Sequence, residues 1–243
     1  MFVLIIMDNI AIIPARGGSK RLPGKNIKDF LGKPIIAYSV EAALQSGLFE
    51  EVMVSTDDDR IAETAVKYGA VVPFRRSTKN SDDFATTSDV LLEVLDQYTG
   101  IGKSFIRACC IYATAPFVTA KKIQESYKVL VEKRFDSVFA VLKFNYPIQR
   151  ALQFDNEQIS MVEPAFLNSR SQDLPVRYHD SGQFYWFNTA AFKLKKKIFT
   201  DNSGAIILPD LEAQDIDDLN DWQLAEQKYQ LLYKNKEQPE THF

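Results

Sequence analysis

The sequence contains little of what disulfide frameworks and zinc sites are built from. It has two cysteines and two histidines among 243 residues. Cys109 and Cys110 are adjacent in an apolar run, and neighbours on a strand point to opposite faces, so a disulfide or a shared metal site is not expected. His242 lies near the end of the chain, far in sequence from His179, which disfavours a zinc site. These features are typical of a protein in a reducing cytoplasm.

An excess of positive charge and long apolar segments are also absent. The net charge is −3 and the isoelectric point is near 5.5, so no overall basic field draws the chain to nucleic acid. No segment approaches the ~18 apolar residues of a membrane span. The apolar run Phe2–Met7 is short and lacks a basic flank, so a signal peptide is not expected. An anionic ligand must therefore be bound by a local cluster of cations and backbone amides.

Short β-branched or aromatic runs alternate with helical patterns, which is typical of a parallel sheet covered by helices. The predicted strands are Asn9–Pro14, Glu51–Ser55, Ala70–Phe74, Ile106–Ala113, Asp136–Leu142 and Gln183–Asn188. Helices are expected between them, and a last one along the stripe Leu219–Leu232. The residues predicted to begin or end helices are Asp57, Thr87 and Thr119 at amino ends and Gly47 and Gly69 at carboxyl ends. The length suits one α/β domain, residues 1–243.

The pattern weakens at about residues 143–182. This stretch is rich in Pro, Asn, Gln and charge, with one possible short strand near Gln158–Val162. Forty unpatterned residues are unusual inside a compact domain. We interpret the stretch as an extension with its own hairpin, which either pairs with a partner subunit or covers the active site.

The segment Pro14–Asn26 directly follows the first predicted strand, at the end where open α/β sheets bind ligands. Gly17 and Gly18 let the backbone approach a ligand closely and aim its N–H groups inward. The segment adds four cations and a hydroxyl, namely Arg16, Lys20, Arg21, Lys25 and Ser19. Amides give geometry and cations neutralise charge, so the segment predicts a polyphosphate site. The alternative is a glycine-rich turn with a solvated basic surface.

This segment resembles the signature of acylneuraminate cytidylyltransferases, the enzymes that make CMP-sialic acids. The resemblance continues through Asp57, Arg75, Thr114–Pro116 and Asp215–Asp217, in order and at compatible spacing. Within the family, the chain is most similar to the pseudaminic acid branch, in residues 110–117, 146–150 and 178–186. The resemblance implies a Rossmann-like three-layer α/β/α nucleotidyltransferase fold with a mostly parallel sheet and a small dimerisation extension. It also implies a homodimer that joins CTP to an acidic nine-carbon sugar.

Roles at the nucleotide follow from the resemblance. Arg16, Ser19 and Lys25 are expected to hold the triphosphate, and Gly17 and Gly18 to shape the loop. Further nucleotide contacts are expected from Asn26, Arg75 and Thr87. The residues expected to act in catalysis are Arg16, Lys25 and Asp217, the last as one candidate base beside metal-bound water.

Asp215 and Asp217 are expected to position Mg²⁺ over the phosphates. If this segment is extended, both carboxylates face the same side and can share one hard cation. Spacing alone also fits capping of the last helix by Asp217 or Asp218. The family resemblance favours the metal.

The chain departs from the sialic acid branch on the sugar side. A glutamine that contacts the acyl sugar there is replaced by Tyr112, and other changes fall at Gln149, His179, Ser181 and Gln183. The candidate sugar-binding residues are Tyr112, Gln149, Arg150, Arg170, His179 and Gln183. The sugar carboxylate is expected to pair with an arginine fork, from Arg150, Arg170 or Arg177.

Other functions stay open at this stage. The sugar can be N-acetylneuraminate, legionaminate or an eight-carbon ulosonate in place of pseudaminate. The chain can also be a non-catalytic, CTP-binding regulatory domain, although the carboxylates and loop cations together argue against that. A dehydrogenase is disfavoured because no G-x-G-x-x-G motif follows the first strand.

Overall fold

The computed structural model describes residues 5–233, with side chains from Asp8 onward. The run Phe2–Met7 therefore lies partly, and His242 wholly, outside the described residues. Along the described chain, no helix combines the length and the apolar composition needed to cross a bilayer.

A six-stranded sheet forms the centre of the molecule, in the order β10-β6-β9-β5-β1-β4. Its strands are β1 Ile5–Pro14, β4 Glu51–Ser55, β5 Lys103–Ile111, β6 Ser137–Lys143, β9 Tyr178–Asn188 and β10 Ser203–Leu208. Two short pairs lie outside it, formed by β2 Asp29–Phe30 with β3 Lys33–Pro34 and by β7 Leu152–Asp155 with β8 Gln158–Met161. β9 is antiparallel to both of its neighbours, and the other pairings in the sheet are parallel.

Helices cover both faces of the sheet. They are α1 Ile35–Ser46, α2 Asp59–Lys67, α3 Thr87–Gly100, α4 Ala120–Lys133, α5 Thr189–Lys195 and α6 Leu219–Tyr233. Buried side chains of α1, α2 and α4 share one apolar cluster with one sheet face, and those of α3 and α5 share a second cluster with the other. Cys109 and Cys110 belong to different clusters and are both unpaired, as alternation along β5 predicts. The three-layer, mostly parallel α/β/α fold is confirmed.

Most predicted strands are confirmed, with one exception. The segment Ala70–Phe74 makes one isolated bridge, between Val71 and Met53, and Arg75 directly after it makes another, with Thr56. Pro73 interrupts this segment, and because proline has no N–H it cannot continue a ladder. The prediction of a strand there is wrong.

Helix ends follow the sequence closely, although the capping side chain differs by one residue at the start of two helices. Thr119 caps α4 through the backbone N–H of Lys122, and Gly47 ends α1 in the left-handed conformation. Thr87 begins α3, although the capping side chain is that of Thr86. The prediction that Asp57 caps α2 is wrong, because Asp58 accepts the first free N–H groups of that helix.

The stretch 143–182 contains the predicted hairpin, formed by β7 and β8. Apart from these strands and the start of β9, it is made of short 3₁₀ turns and irregular chain. Its large apolar side chains are unusually exposed, among them Phe154 at 74% and Ile159 at 65%. Its role as a dimerisation element stays a prediction.

Candidate active site

A cavity of about 640 Å³ opens at the carboxyl ends of β1 and β5. Parallel strands place the loops that follow them at the same sheet edge, so segments distant in sequence meet here. Four segments line the cavity, namely residues 14–26, residues 76–90, residues 112–114 and the pair Asp215 and Asp217. The cavity therefore brings the predicted phosphate loop, residues 14–26, together with the predicted metal ligands Asp215 and Asp217.

The phosphate loop is held in shape by short polar contacts. The Gly17 N–H donates to Asp57 Oδ1 at 2.9 Å, and the Asn26 amide donates to the Arg16 carbonyl at 2.9 Å. A Cβ atom at Gly17 would lie 2.9 Å from the Cβ of Asp58, closer than side-chain atoms approach. Position 17 therefore requires glycine for close packing against the start of α2.

Lys25 connects the phosphate loop to the acidic segment. Its ammonium donates to the Ile216 carbonyl at 2.5 Å and lies 3.8 Å from Asp217 Oδ1. Arg21 makes a closer ion pair with the same carboxylate, at 2.9 Å. Burial lowers the pKa of Lys25, and the Asp217 and Asp215 carboxylates only partly oppose that. The site thus holds a desolvated cation beside two carboxylates.

Arg16 and Lys20 share a carboxylate that sequence reasoning missed. Arg16 Nη1 lies 2.9 Å from Asp83 Oδ1 and donates to the Asp82 carbonyl at 2.6 Å, and Lys20 pairs with the other oxygen of Asp83. The lysine and arginine hydrogen bonds hold the pKa of Asp83 below its usual value. The only sequence signal was two consecutive acidic residues shortly before a helix.

The arginine that lines the cavity is not the one expected from the sequence. Arg75, the predicted contact, lies outside this cavity and pairs with Asp59 on the exposed side of α2. Arg76 lines the cavity instead, is only 8% exposed, and donates to the Ser55 hydroxyl at 3.1 Å. Burial lowers the pKa of Arg76 to about 10. The single bridge between residues 75 and 56 decides which of two adjacent arginines points inward.

Thr87 and Tyr112 form a part of the cavity wall that lies outside the phosphate loop. Both line the cavity, and the Thr87 hydroxyl is 3.1 Å from the Tyr112 hydroxyl. Burial raises the pKa of Tyr112 to about 12, so the phenol is neutral at physiological pH. This wall offers hydroxyl groups rather than charges.

Asp215 and Asp217 line the cavity. The alternative interpretation of this segment, capping of the last helix, applies to Asp218. Asp218 Oδ1 accepts the N–H groups of Asn220 and Asp221 at the start of α6. Burial, with Asp217 beside it, raises the pKa of Asp215. Within residues 5–233 no group of three or more His, Cys, Asp or Glu forms a ready-made metal cluster. Two carboxylate ligands are thus available to a cation here.

Most predicted sugar-binding residues lie away from the cavity, Tyr112 being the exception. Gln149 is buried and donates to the Pro175 carbonyl, Arg150 contacts Ser171, and Arg170 pairs with Asp173, all within the extension. His179 packs against the ring of Phe144. Gln183 is buried and donates to the Gln214 carbonyl, next to the acidic segment. A single chain therefore does not gather these residues around one ligand.

Comparisons with known proteins agree with this geometry. The cytidylyltransferase family model matches residues 10–237. The chain is 42% identical over 229 residues to the pseudaminic acid cytidylyltransferase of Campylobacter jejuni, covering 94% of this chain and 97% of that protein. It is 34% identical over 236 residues to the CMP-N,N'-diacetyllegionaminic acid synthase of Legionella pneumophila, covering 93% and 97%.

A solved structure, that of CMP:2-keto-3-deoxy-manno-octonic acid synthetase complexed with CTP, shares the fold with a TM-score of 0.66 at 16% identity. That likeness covers 94% of this chain and 100% of the other. The sequence matches extend over the phosphate loop, the cavity wall and the acidic segment alike. This chain belongs to the cytidylyltransferase family.

Proposed function

We propose that this protein transfers CMP from CTP to the anomeric hydroxyl of a nonulosonic acid, with pseudaminic acid as the favoured substrate, and releases pyrophosphate. The observation that carries the proposal is one cavity lined by four loop cations and a pair of carboxylates. The choice of sugar is supported by the 42% identity to a pseudaminic acid cytidylyltransferase over almost the whole chain.

The triphosphate is proposed to bind on the loop that follows β1. Arg16 and Lys20 are paired with Asp83, and Arg21 and Lys25 contact Asp217. A triphosphate offers these cations more charge and more acceptor oxygens than a carboxylate does. Binding would then exchange the carboxylate partners for phosphate oxygens.

The carboxylate pair fits a divalent cation such as Mg²⁺. Mg²⁺ is usually bound by one or two carboxylates together with substrate phosphates and waters, rather than by a cage of protein ligands. Burial and the neighbouring Asp217 raise the pKa of Asp215, and a bound cation would favour its ionised form. Asp215 and Asp217 would hold Mg²⁺, which would supply electrostatic stabilisation of phosphate charge.

The proposed reaction is an in-line displacement at the α-phosphorus of CTP. The anomeric oxygen forms the new P–O bond as the bond to pyrophosphate breaks, so positioning and charge stabilisation dominate. Arg16 and Lys25 stabilise charge on the α-phosphate and the leaving group. Asp217 is the proposed acceptor of the hydroxyl proton, because its carboxylate lines the cavity.

The extension is proposed to form part of a homodimer interface. An isolated two-stranded hairpin is marginally stable in water, and the hairpin here exposes Leu152, Phe154 and Ile159. A second subunit that covers this face would also bring extension side chains toward a cavity. A cytoplasmic location is proposed because both cysteines are buried free thiols.

Pyrophosphate release tests the function directly. The purified protein is assayed with CTP and Mg²⁺ against pseudaminate, N,N'-diacetyllegionaminate and N-acetylneuraminate, with a no-sugar control. We expect pseudaminate to give the highest kcat/KM. A higher kcat/KM with diacetyllegionaminate would identify that sugar as the substrate instead. It is the second candidate because of the 34% identity to the Legionella synthase. Tight CTP binding without turnover on any sugar would indicate a regulatory domain instead.

A further inference from the structure

The acidic segment that contains Asp215 and Asp217, residues 213–218, is neither helix nor strand. It joins a 3₁₀ turn at Asp210–Glu212 to the start of α6. Two of its side chains, those of Ala213 and Ile216, are fully buried. Backbone groups that are buried outside regular structure need other hydrogen-bond partners. The shape of this segment therefore depends on groups elsewhere in the chain.

Side chains supply partners for the backbone here. Five consecutive carbonyls, from Glu212 to Ile216, each accept a hydrogen bond from a side-chain N–H group. The donors, in the order of the carbonyls, are Lys122, Lys228, Gln183, Gln214 and Lys25. The backbone around Asp215 is thus fixed by residues from the phosphate loop, α4, β9 and α6.

Lys228 of α6 makes the most contacts of this kind. Its ammonium donates to the Asp210 carbonyl at 2.9 Å, to the Ala213 carbonyl at 3.0 Å and to Gln214 Oε1 at 2.9 Å. An ammonium has three donors, so all of them are used here. The Gln214 amide in turn donates to the Asp215 carbonyl at 2.9 Å. Lys228 therefore holds the chain before Asp215 directly and the carbonyl of Asp215 through Gln214.

Gln183 of β9 holds the same segment from the sheet. Its side chain is 1% exposed, and its amide donates to the Gln214 carbonyl at 3.3 Å. The adjacent Gly182 has a φ of +64°, and a Cβ atom there would lie 3.3 Å from Cγ of Asp215. β9 thus packs closely against the Asp215 side chain, while Gln183 holds the peptide that precedes it.

We propose that Lys228 and Gln183 are positioning residues for the divalent cation, which hold the backbone at Asp215 so that its carboxylate is placed to ligate the metal. The inference rests on the proposed function, because it takes Asp215 and Asp217 as ligands of the cation. Neither Lys228 nor Gln183 lines the cavity, so their effect passes through Asp215. Residues that orient metal ligands are typically worth ~10- to 100-fold in metal affinity or activity.

The test removes each donor and keeps the volume of its side chain. Lys228→Met retains an aliphatic stem without the ammonium. Gln183→Met retains a buried side chain of similar length without the amide. The Gln183 side-chain oxygen is buried and has no hydrogen-bond partner among the described residues, so Gln183→Met breaks no hydrogen bond accepted by that oxygen.

Each variant has a matched control far from the cavity. Lys103→Met removes a half-buried lysine that pairs with Glu51. Asn9→Leu removes a buried amide that donates to the Leu48 carbonyl at 3.0 Å and whose oxygen also has no partner among the described residues. Both controls contact the chain at the start of β4, whereas the cavity opens at the carboxyl ends of the parallel strands.

CTP binding is measured by calorimetry in Mg²⁺ and in EDTA, without sugar, so that nothing turns over. We expect the wild type to bind CTP more tightly in Mg²⁺, and both variants to lose most of that gain, while their affinity in EDTA changes less than about twofold. In the pyrophosphate assay, the Mg²⁺ concentration for half-maximal rate is expected to rise ~10-fold, with the rate restored at high Mg²⁺. The controls are expected to match the wild type in both measurements.

Variants that match the wild type would overturn the inference. An equal loss of CTP affinity in Mg²⁺ and in EDTA, or an equal shift in the controls, would also overturn it, because either result indicates a general loss of structure. If Lys228→Met does not fold, Gln183→Met on a different element decides the question. If the wild type binds CTP more tightly in Mg²⁺ but turns over no acid sugar, the proposed function fails, and the calorimetric comparison still decides the inference.

Discussion

Arg16 combines a backbone contact and an ion pair at the mouth of the phosphate loop. In the proposed mechanism its guanidinium stabilises charge that develops on the α-phosphate. Arg16→Ala is therefore expected to lower kcat by ~10²–10³-fold, as loss of a preorganised electrostatic donor does elsewhere. Steady-state pyrophosphate release measures this fall in kcat. Arg134→Asn is a control, because it removes an arginine at the end of α4 whose left-handed conformation asparagine tolerates. Near-normal turnover of Arg16→Ala would remove this residue from the mechanism.

Arg76 is a buried cation that lines the cavity, and we expect it to bind the nucleotide at a cost in desolvation. Burial lowers its pKa to about 10, so its charge is poorly solvated in the folded protein. Arg76→Met fills similar volume and removes the desolvation cost of the charge, but it also removes the hydrogen bonds to Ser55. We expect CTP affinity to fall ~10-fold or more, while the free energy of unfolding changes by no more than about 1 kcal/mol because these two effects oppose each other. Calorimetric titration measures the CTP affinity, and urea unfolding measures the free energy of unfolding. Unchanged CTP affinity would contradict a nucleotide role for Arg76.

Sequence could predict the cavity residues that directly follow the ends of regular strands. Arg16, Lys25 and Tyr112 come after β1 or β5, and their meeting at one sheet edge follows from topology. Arg76 and Asp83 could not be predicted in the same way. They belong to an irregular segment, where tertiary contacts and not periodicity decide which side chain points inward.

At the scale of elements, the apolar interior strands were the most predictable. Sequence placed β4 correctly at Glu51–Ser55 because a short apolar run lies between turn residues. The edge strand β10 was missed, since Ser203–Leu208 begins with small residues and leaves Ile207 60% exposed. β9 was predicted to begin at Gln183 and begins at Tyr178, because its register against β6 shifts between Phe139 and Val141 and interrupts its alternation.

Asp136 joins three elements at the sheet edge away from the cavity. Asp136 directly precedes β6. Its carboxylate accepts a hydrogen bond at 2.6 Å from Lys195, at the end of α5, and one at 3.1 Å from Thr200, before β10. The Lys195 hydrogen bond holds its pKa below the ordinary 3.8. A lowered carboxyl pKa stabilises the fold above the unfolded-state value, and that contribution is lost as pH falls through the folded-state value.

Asp136→Asn is therefore expected to lower the free energy of unfolding by about 1 kcal/mol at pH 7, the range for a partly exposed ion pair with its hydrogen bonds. The difference from wild type should shrink as the pH falls below the ordinary carboxyl pKa of 3.8. Urea unfolding of both proteins across pH measures it. A difference that stays constant down to low pH would show that the ionised carboxylate is not responsible.

At the scale of the whole molecule, the extension explains why the sugar site was hard to predict. Arg150 and Arg170 are bonded to side chains within the extension itself. Sequence indicated the extension through its loss of pattern, but whether its side chains reach a cavity depends on the dimerisation that we propose.

Dimerisation through the hairpin is tested by a charge on its exposed face. Phe154 and Ile159 are direct partners across the hairpin and are 74% and 65% exposed. Phe154→Glu is expected to convert a homodimer to a monomer, because an interface cannot bury an unpaired carboxylate cheaply. Light scattering after size exclusion measures the mass. Leu194→Glu is the matched control, an 82% exposed apolar residue on α5. A monomeric wild type, or a Phe154→Glu dimer, would contradict the proposal.

The binding of a nucleoside triphosphate by the loop after β1 is the claim on which the proposed chemistry depends. A crystal structure of the protein with CTP tests it most directly. We predict phosphate oxygens within hydrogen-bonding distance of the Gly18 and Ser19 amides and of the Arg16 and Lys25 side chains, with Asp83 displaced from Arg16. CTP bound elsewhere, with the Arg16–Asp83 pair intact, would contradict the account.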